Sequence, residues 1–89
     1  MRAVEIYVSG VVQGVGFRYF TARIAKELGI KGFVKNLSDG RVYIYAVGEE
    51  RALEKFISNI RHGPPLAVVR DLEIRNAEIK EVERFEVKR

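Results

Sequence analysis

With 89 residues the chain has room for one domain and one core. Apolar residues at 47%, charged residues at 31% and a complete lack of cysteine describe a globular protein without disulfides, thiolate nucleophiles or thiolate metal sites. A net charge of +4 favours an anionic partner, phosphate metabolite or nucleic acid alike, although charges of both signs also crowd the surfaces of heat-adapted proteins.

Ala3 to Ser9 alternates, with Val4, Ile6 and Val8 on one side and Glu5, Tyr7 and Ser9 on the other, the pattern of a half-buried strand. We expect no signal peptide before a strand this close to Met1, and no apolar run reaches the roughly 18 residues of a membrane span. With the missing cysteines, this leads us to expect a cytoplasmic protein that does not engage a membrane.

Gly10 to Arg18 follows as GVVQGVGFR. From Phe17 to Leu28 the period becomes helical, with Phe17, Phe20, Ile24 and Leu28 on one face and Gly29 as a left-handed cap. Ile30 to Leu37 and Arg41 to Val47 read as a hairpin joined by Ser38-Asp39-Gly40. On its second strand Val42, Ile44 and Ala46 share one face, and Arg41, Tyr43 and Tyr45 the other. Glu49 to His62 is a second helix, with Leu53, Phe56, Ile57 and Ile60 inward, Gly63 at its end and Pro64-Pro65 blocking continuation. Val68 to Asn76 is a fourth strand with Leu72 and Ile74 inward. Glu78, Glu81 and Glu83 form a solvated charge run, and Phe85 with Val87 a short last strand.

The order is βαββαβ with a short C-terminal strand added, in a single domain over 1–89. It predicts an α+β fold, the ferredoxin-like sandwich, with two helices on one face of an antiparallel sheet. That fold serves many functions, so the site must decide among them.

Strand, glycine-rich turn and helix suit an anion held on backbone N–H groups. A Walker loop would end in Gly-Lys-Ser or Gly-Lys-Thr; this one ends Gly16-Phe17-Arg18. A dinucleotide fingerprint would place a third glycine where Tyr19 stands. Arg18 falls in the first helical turn, where the dipole disfavours a cation unless an anion lies between them. Its planar fork of donors suits phosphate, yet a plain exposed arginine beside a tight turn would read the same way. Asn36 has a bland explanation as a turn former. Alternatively, the two central strands of such a fold run side by side, so the end of the second strand can lie near the loop after the first. There a carboxamide could orient a water.

His62 is explained by a helix C-terminus and Asp39 by its turn. One histidine and no cysteine cannot build an ordinary transition-metal site, and no nucleophile has a partner base. An arginine, an amide cradle and an asparagine would struggle with a poor leaving group. A carboxylate, with a pKa near ~4, departs without a proton, and loose phosphoryl transfer needs mainly positioning and charge stabilisation. The inventory points toward acyl phosphates.

At this point the chain resembles the acylphosphatases. Val8-Ser9 with GVVQGVGFR matches one motif of that family. Gly32-Phe33-Val34-Lys35-Asn36, then Asp39-Gly40, Val42 and Gly48, matches the other. The resemblance implies hydrolysis of a carboxyl–phosphate anhydride in a small-molecule acyl phosphate, without metal or cofactor. It implies that Arg18 binds the phosphoryl group, that Asn36 orients the attacking water, and that backbone amides of Gln13, Gly14, Val15, Gly16, Phe17 and Arg18 form the cradle. It implies no covalent enzyme intermediate, with the substrate assisting removal of the water's proton. A similar domain begins large carbamoyl-transfer proteins of hydrogenase maturation. One domain without cysteine zinc motifs predicts instead a free-standing enzyme, monomeric by default.

The same element order is that of the RNA-recognition motif, in which Tyr7, Tyr43 and Tyr45 would be a base-stacking platform on the helix-free face. The third-strand segment lacks that motif's second glycine, and cross-strand packing of tyrosines explains the same pattern. A non-catalytic module sensing an anion in the same loop is a further reading.

Overall fold

The computed structural model describes residues 1–89. Its elements are β1 (Arg2–Val11), α1 (Phe17–Leu28), β2 (Lys31–Asn36), β3 (Val42–Gly48), α2 (Glu50–His62), β4 (Val68–Ala77) and β5 (Phe85–Val87). This is the expected ferredoxin-like order, with boundaries moved by a residue or two. The largest extension is in β1, where a register shift between Ser9 and Gly10 lets the strand keep pairing with β4 as far as Val11. Glu49 is the N-cap of α2 rather than its first residue.

The sheet order is β4-β1-β3-β2-β5. β1 pairs antiparallel with β3 and β4, and β2 antiparallel with β3. β5, however, runs parallel to β2, so the sheet is mixed rather than wholly antiparallel. The chain crosses the sheet after β4 and enters alongside β2 in the same direction. Gly32 N–H donates to the Arg84 carbonyl, and Lys88 N–H to the Val34 carbonyl.

A second correction concerns what brings the two motifs together. β1 and β2 are not side by side; β3 lies between them. Both are antiparallel to β3 and therefore parallel to each other, so their C-terminal ends reach the same edge of the sheet. α1 packs over β2 and β5, while α2 packs over β3 and β4. The chain leaving β1 must therefore pass over β3 to begin α1, and that passage brings the loop beside the C-terminal end of β2.

The main core lies between sheet and helices, with Ile6, Val34 and Ile44 of the sheet against Phe17, Leu53 and Phe56 of the helices. Ile24 is buried as expected on α1, whereas Phe20 and Leu28 are only partly so. The fully buried Thr21 was not legible from apolar spacing. It is tolerated because its Oγ1 donates to the Phe17 carbonyl at 2.9 Å.

The helix-free face is not open. Tyr45 and Val47 of β3 are buried there with Ala3, against Phe33, Tyr43, Ala77 and Val82. The Tyr45 hydroxyl donates to the Glu78 carbonyl at 2.6 Å and accepts from Lys80 N–H at 2.8 Å. The stretch after β4 is thus a strap across the sheet. Its glutamates stay exposed, as the charge run suggested, while its backbone and Val82 close the second core.

Candidate active site

Beyond β1, Val12 is buried and fixes the start of the loop. Gly14 and Gly16 then take left-handed φ values of 76° and 79°. The space around both is open, so conformation rather than crowding requires glycine. Gly16 is the N-cap of α1; no side chain caps this end, and the first turn has no acidic residue. The first N–H groups of a helix have no intrahelical partner, so these donors are left for a group from outside.

Beside them is a pocket of about 100 Å³ lined by Val12, Gly14, Gly16, Phe17, Arg18, Tyr19 and Asn36. That small space, edged by a helix N-terminus and a guanidinium, suits a tetrahedral oxyanion.

Arg18 is the second residue of α1 and makes no ion pair. One guanidinium N–H donates to the backbone carbonyl of Lys88, just past β5, at 2.7 Å. Asn36 ends β2, two residues after the buried Val34, so the pleat puts both on the helix side of the sheet. Its Oδ1 is buried and has no hydrogen-bond partner within the protein.

Of the six residues expected in the cradle, Gly14, Gly16, Phe17 and Arg18 line the pocket, and Asn36 joins them. The Val15 side chain packs against the core. The Gln13 side chain donates to the Leu37 carbonyl at 2.8 Å and to the Arg41 carbonyl at 2.9 Å. Tyr19, 70% exposed at the pocket, was missed; its place directly after Arg18 was the only signal.

Asp39 serves its turn, accepting from Arg41 N–H at 3.1 Å and from Arg41 Nε at 2.8 Å. The backbone N–H first and the guanidinium second hold its carboxyl below the usual carboxylate value. On the other face, burial first and the hydrogen-bonded Glu5 carboxylate second push the Tyr43 phenol well above its ordinary range.

Tyr7, Tyr43 and Tyr45 do not form an open stacking row. Tyr45 is 3% exposed under the strap. Tyr7 meets Tyr43 edge-on at 5.1 Å, and the chain's own cations approach the rings: Arg41 lies 4.8 Å from Tyr7, and Lys35 lies 5.8 Å from Tyr43. Cross-strand packing accounts for these tyrosines.

The acylphosphatase family profile matches residues 4–87. The chain belongs to the acylphosphatase family. An acylphosphatase from Archaeoglobus fulgidus is 70% identical over 87 residues, covering 98% of each chain. The crystal structure of acylphosphatase from Bacillus subtilis superimposes with a TM-score of 0.97 at 39% identity, covering 100% of both chains. Full-length HypF contains the same domain: the match has a TM-score of 0.92 and 41% identity, covering 98% of this chain and 12% of that one. The chain thus spans nearly the whole length of the curated relative and of the Bacillus enzyme, and a small part of the larger protein.

Proposed function

We propose that this acylphosphatase cleaves the carboxyl–phosphate anhydride of small acyl phosphates by direct attack of a water, with Arg18 and Asn36 as its catalytic residues. The observation that carries the reading is the buried, unpartnered Asn36 Oδ1 at a pocket shared with Arg18 and the glycine loop. An unsatisfied buried acceptor costs about 1–3 kcal/mol, so its retention calls for a donor arriving from solution. A water bound there donates one hydrogen to Asn36 and turns its lone pair toward phosphorus.

In this reading the phosphoryl oxygens sit on the amides of the Gln13–Arg18 loop and on the free donors of Arg18. The water oxygen forms the new P–O bond while the bond from phosphorus to the acyl oxygen breaks. The carboxylate leaves with the bonding pair and needs no proton, and the water's proton passes to a phosphoryl oxygen of the substrate. No metal takes part. Both charge stabilisation and alignment come from groups already fixed by the fold.

Steady-state hydrolysis of an acyl phosphate tests this. Arg18→Ala should lower kcat/KM by roughly 10³-fold or more, the range for an arginine that stabilises a phosphoryl transition state. Asn36→Ala should lower kcat by about 10²–10³-fold. Both variants should keep the native circular dichroism, and a chelator should change nothing. Turnover that survives loss of Arg18, or that a chelator abolishes, contradicts the mechanism.

A further inference from the structure

The two halves of the pocket come from segments that do not pair with each other, since β3 separates β1 from β2. Gln13 is what ties the loop directly to the hairpin. Its Nε2 uses both hydrogens, one on the Leu37 carbonyl and one on the Arg41 carbonyl. Those two residues flank the turn and are themselves joined, Leu37 N–H donating to the Arg41 carbonyl at 2.8 Å. Arg41 is held in turn by Asp39. Leu37 directly follows Asn36, so the carboxamide of Gln13 is clamped to the backbone next to the site asparagine.

We propose that Gln13 is a positioning residue whose side chain sets the spacing between the phosphoryl cradle and Asn36. The proposal rests on the reading of Arg18 and Asn36 given above. Its backbone N–H stays in the cradle whatever side chain it carries, so phosphate binding and alignment of the water separate at this residue. A displacement of about 1 Å at a reacting pair is enough to lose on the order of 10²-fold in rate. The side chain therefore governs kcat, and the affinity for the phosphoryl group is largely independent of it.

Two variants test this. Gln13→Ala removes the clamp; Gln13→Glu keeps its shape but sets an anion without donors against two carbonyl oxygens. For each, kcat, KM, competitive inhibition by inorganic phosphate and exchange of the Leu37 amide hydrogen are measured, with circular dichroism to confirm folding. We expect kcat to fall by about 10–100-fold while inhibition by phosphate changes less than about threefold. The Leu37 amide should exchange about tenfold faster, as loss of a roughly 1.4 kcal/mol restraint implies. In an Asn36→Ala background, Gln13→Ala should lower kcat no further, because the partner through which it acts is gone. Losses that multiply in the double variant overturn the coupling. So does phosphate inhibition that weakens in step with kcat, which marks a collapsed cradle, and so does unchanged exchange at Leu37. An Asn36→Ala enzyme at full activity would instead overturn the water-orienting reading and with it this coupling. Multiplying losses from an already impaired Asn36→Ala enzyme overturn the coupling alone.

Discussion

Arg18 has five N–H donors and commits one of them, to the Lys88 carbonyl, which fixes the guanidinium without neutralising it. Asp39 shows the opposite arrangement three residues beyond Asn36, a carboxylate fully engaged with its own turn. The consequence for pH follows from the sign of its shift. A carboxyl whose pKa is lowered on folding adds stability above its unfolded value, about 4, and loses it as pH falls through the lowered value. Asn at this position keeps the shape and loses the charge. Urea midpoints of wild type and Asp39→Asn should therefore differ near neutral pH and converge as pH falls through the lowered value. A gap of constant size across that range would show that the turn does not depend on the carboxylate.

Among the elements, β5 contributes most for its length. It has three residues, yet it buries Phe85, leads to the Lys88 N–H bond with Val34, and presents the carbonyl that holds Arg18. Deleting Lys88 and Arg89 removes both backbone contacts. The loss should be about 1–2 kcal/mol of stability, and roughly tenfold in kcat/KM as Arg18 gains freedom. Lys88→Ala keeps the carbonyl and gives up only the side chain 4.4 Å from the Phe33 ring, so it should lose far less activity. Equal losses in the two variants would put the effect in the side chain. The short strand of Phe85 and Val87 was legible in the sequence, but its contacts were not, because β5 acts through partners far along the chain. The alternation of Val4, Ile6 and Val8, the spacing of Leu53, Phe56 and Ile60, and the loop with its arginine were legible because each is local. Asn36 could be nominated, but the route to the pocket was misjudged: it passes over β3, a matter of sheet order that no local period encodes. The direction of β5 escaped for the same reason. So did Gln13, whose side chain is defined by carbonyls of another turn.

Taken whole, the molecule separates its work by face. The helix side of the sheet carries the pocket, and the other side carries a second core that the strap after β4 holds down. Tyr45 is the fastening, with one hydroxyl serving both the Glu78 carbonyl and Lys80 N–H. Tyr45→Phe removes that oxygen and leaves a part-buried donor and acceptor without each other or water in the same geometry. The cost should be about 1–2 kcal/mol, a substantial share of the roughly 5–15 kcal/mol that a domain has. For a domain of this size each kcal/mol lowers Tm by about 4–8 °C, so thermal unfolding should report the change clearly. Val82 should become easier to expose, and proteolysis within the strap should quicken accordingly. Because the strap lies across the sheet from Arg18 and Asn36, kcat and inhibition by phosphate should remain at wild-type values well below the new Tm. A parallel loss of turnover at such temperatures would mean that the sheet transmits strain from one face to the other, and that stability and catalysis share a face after all.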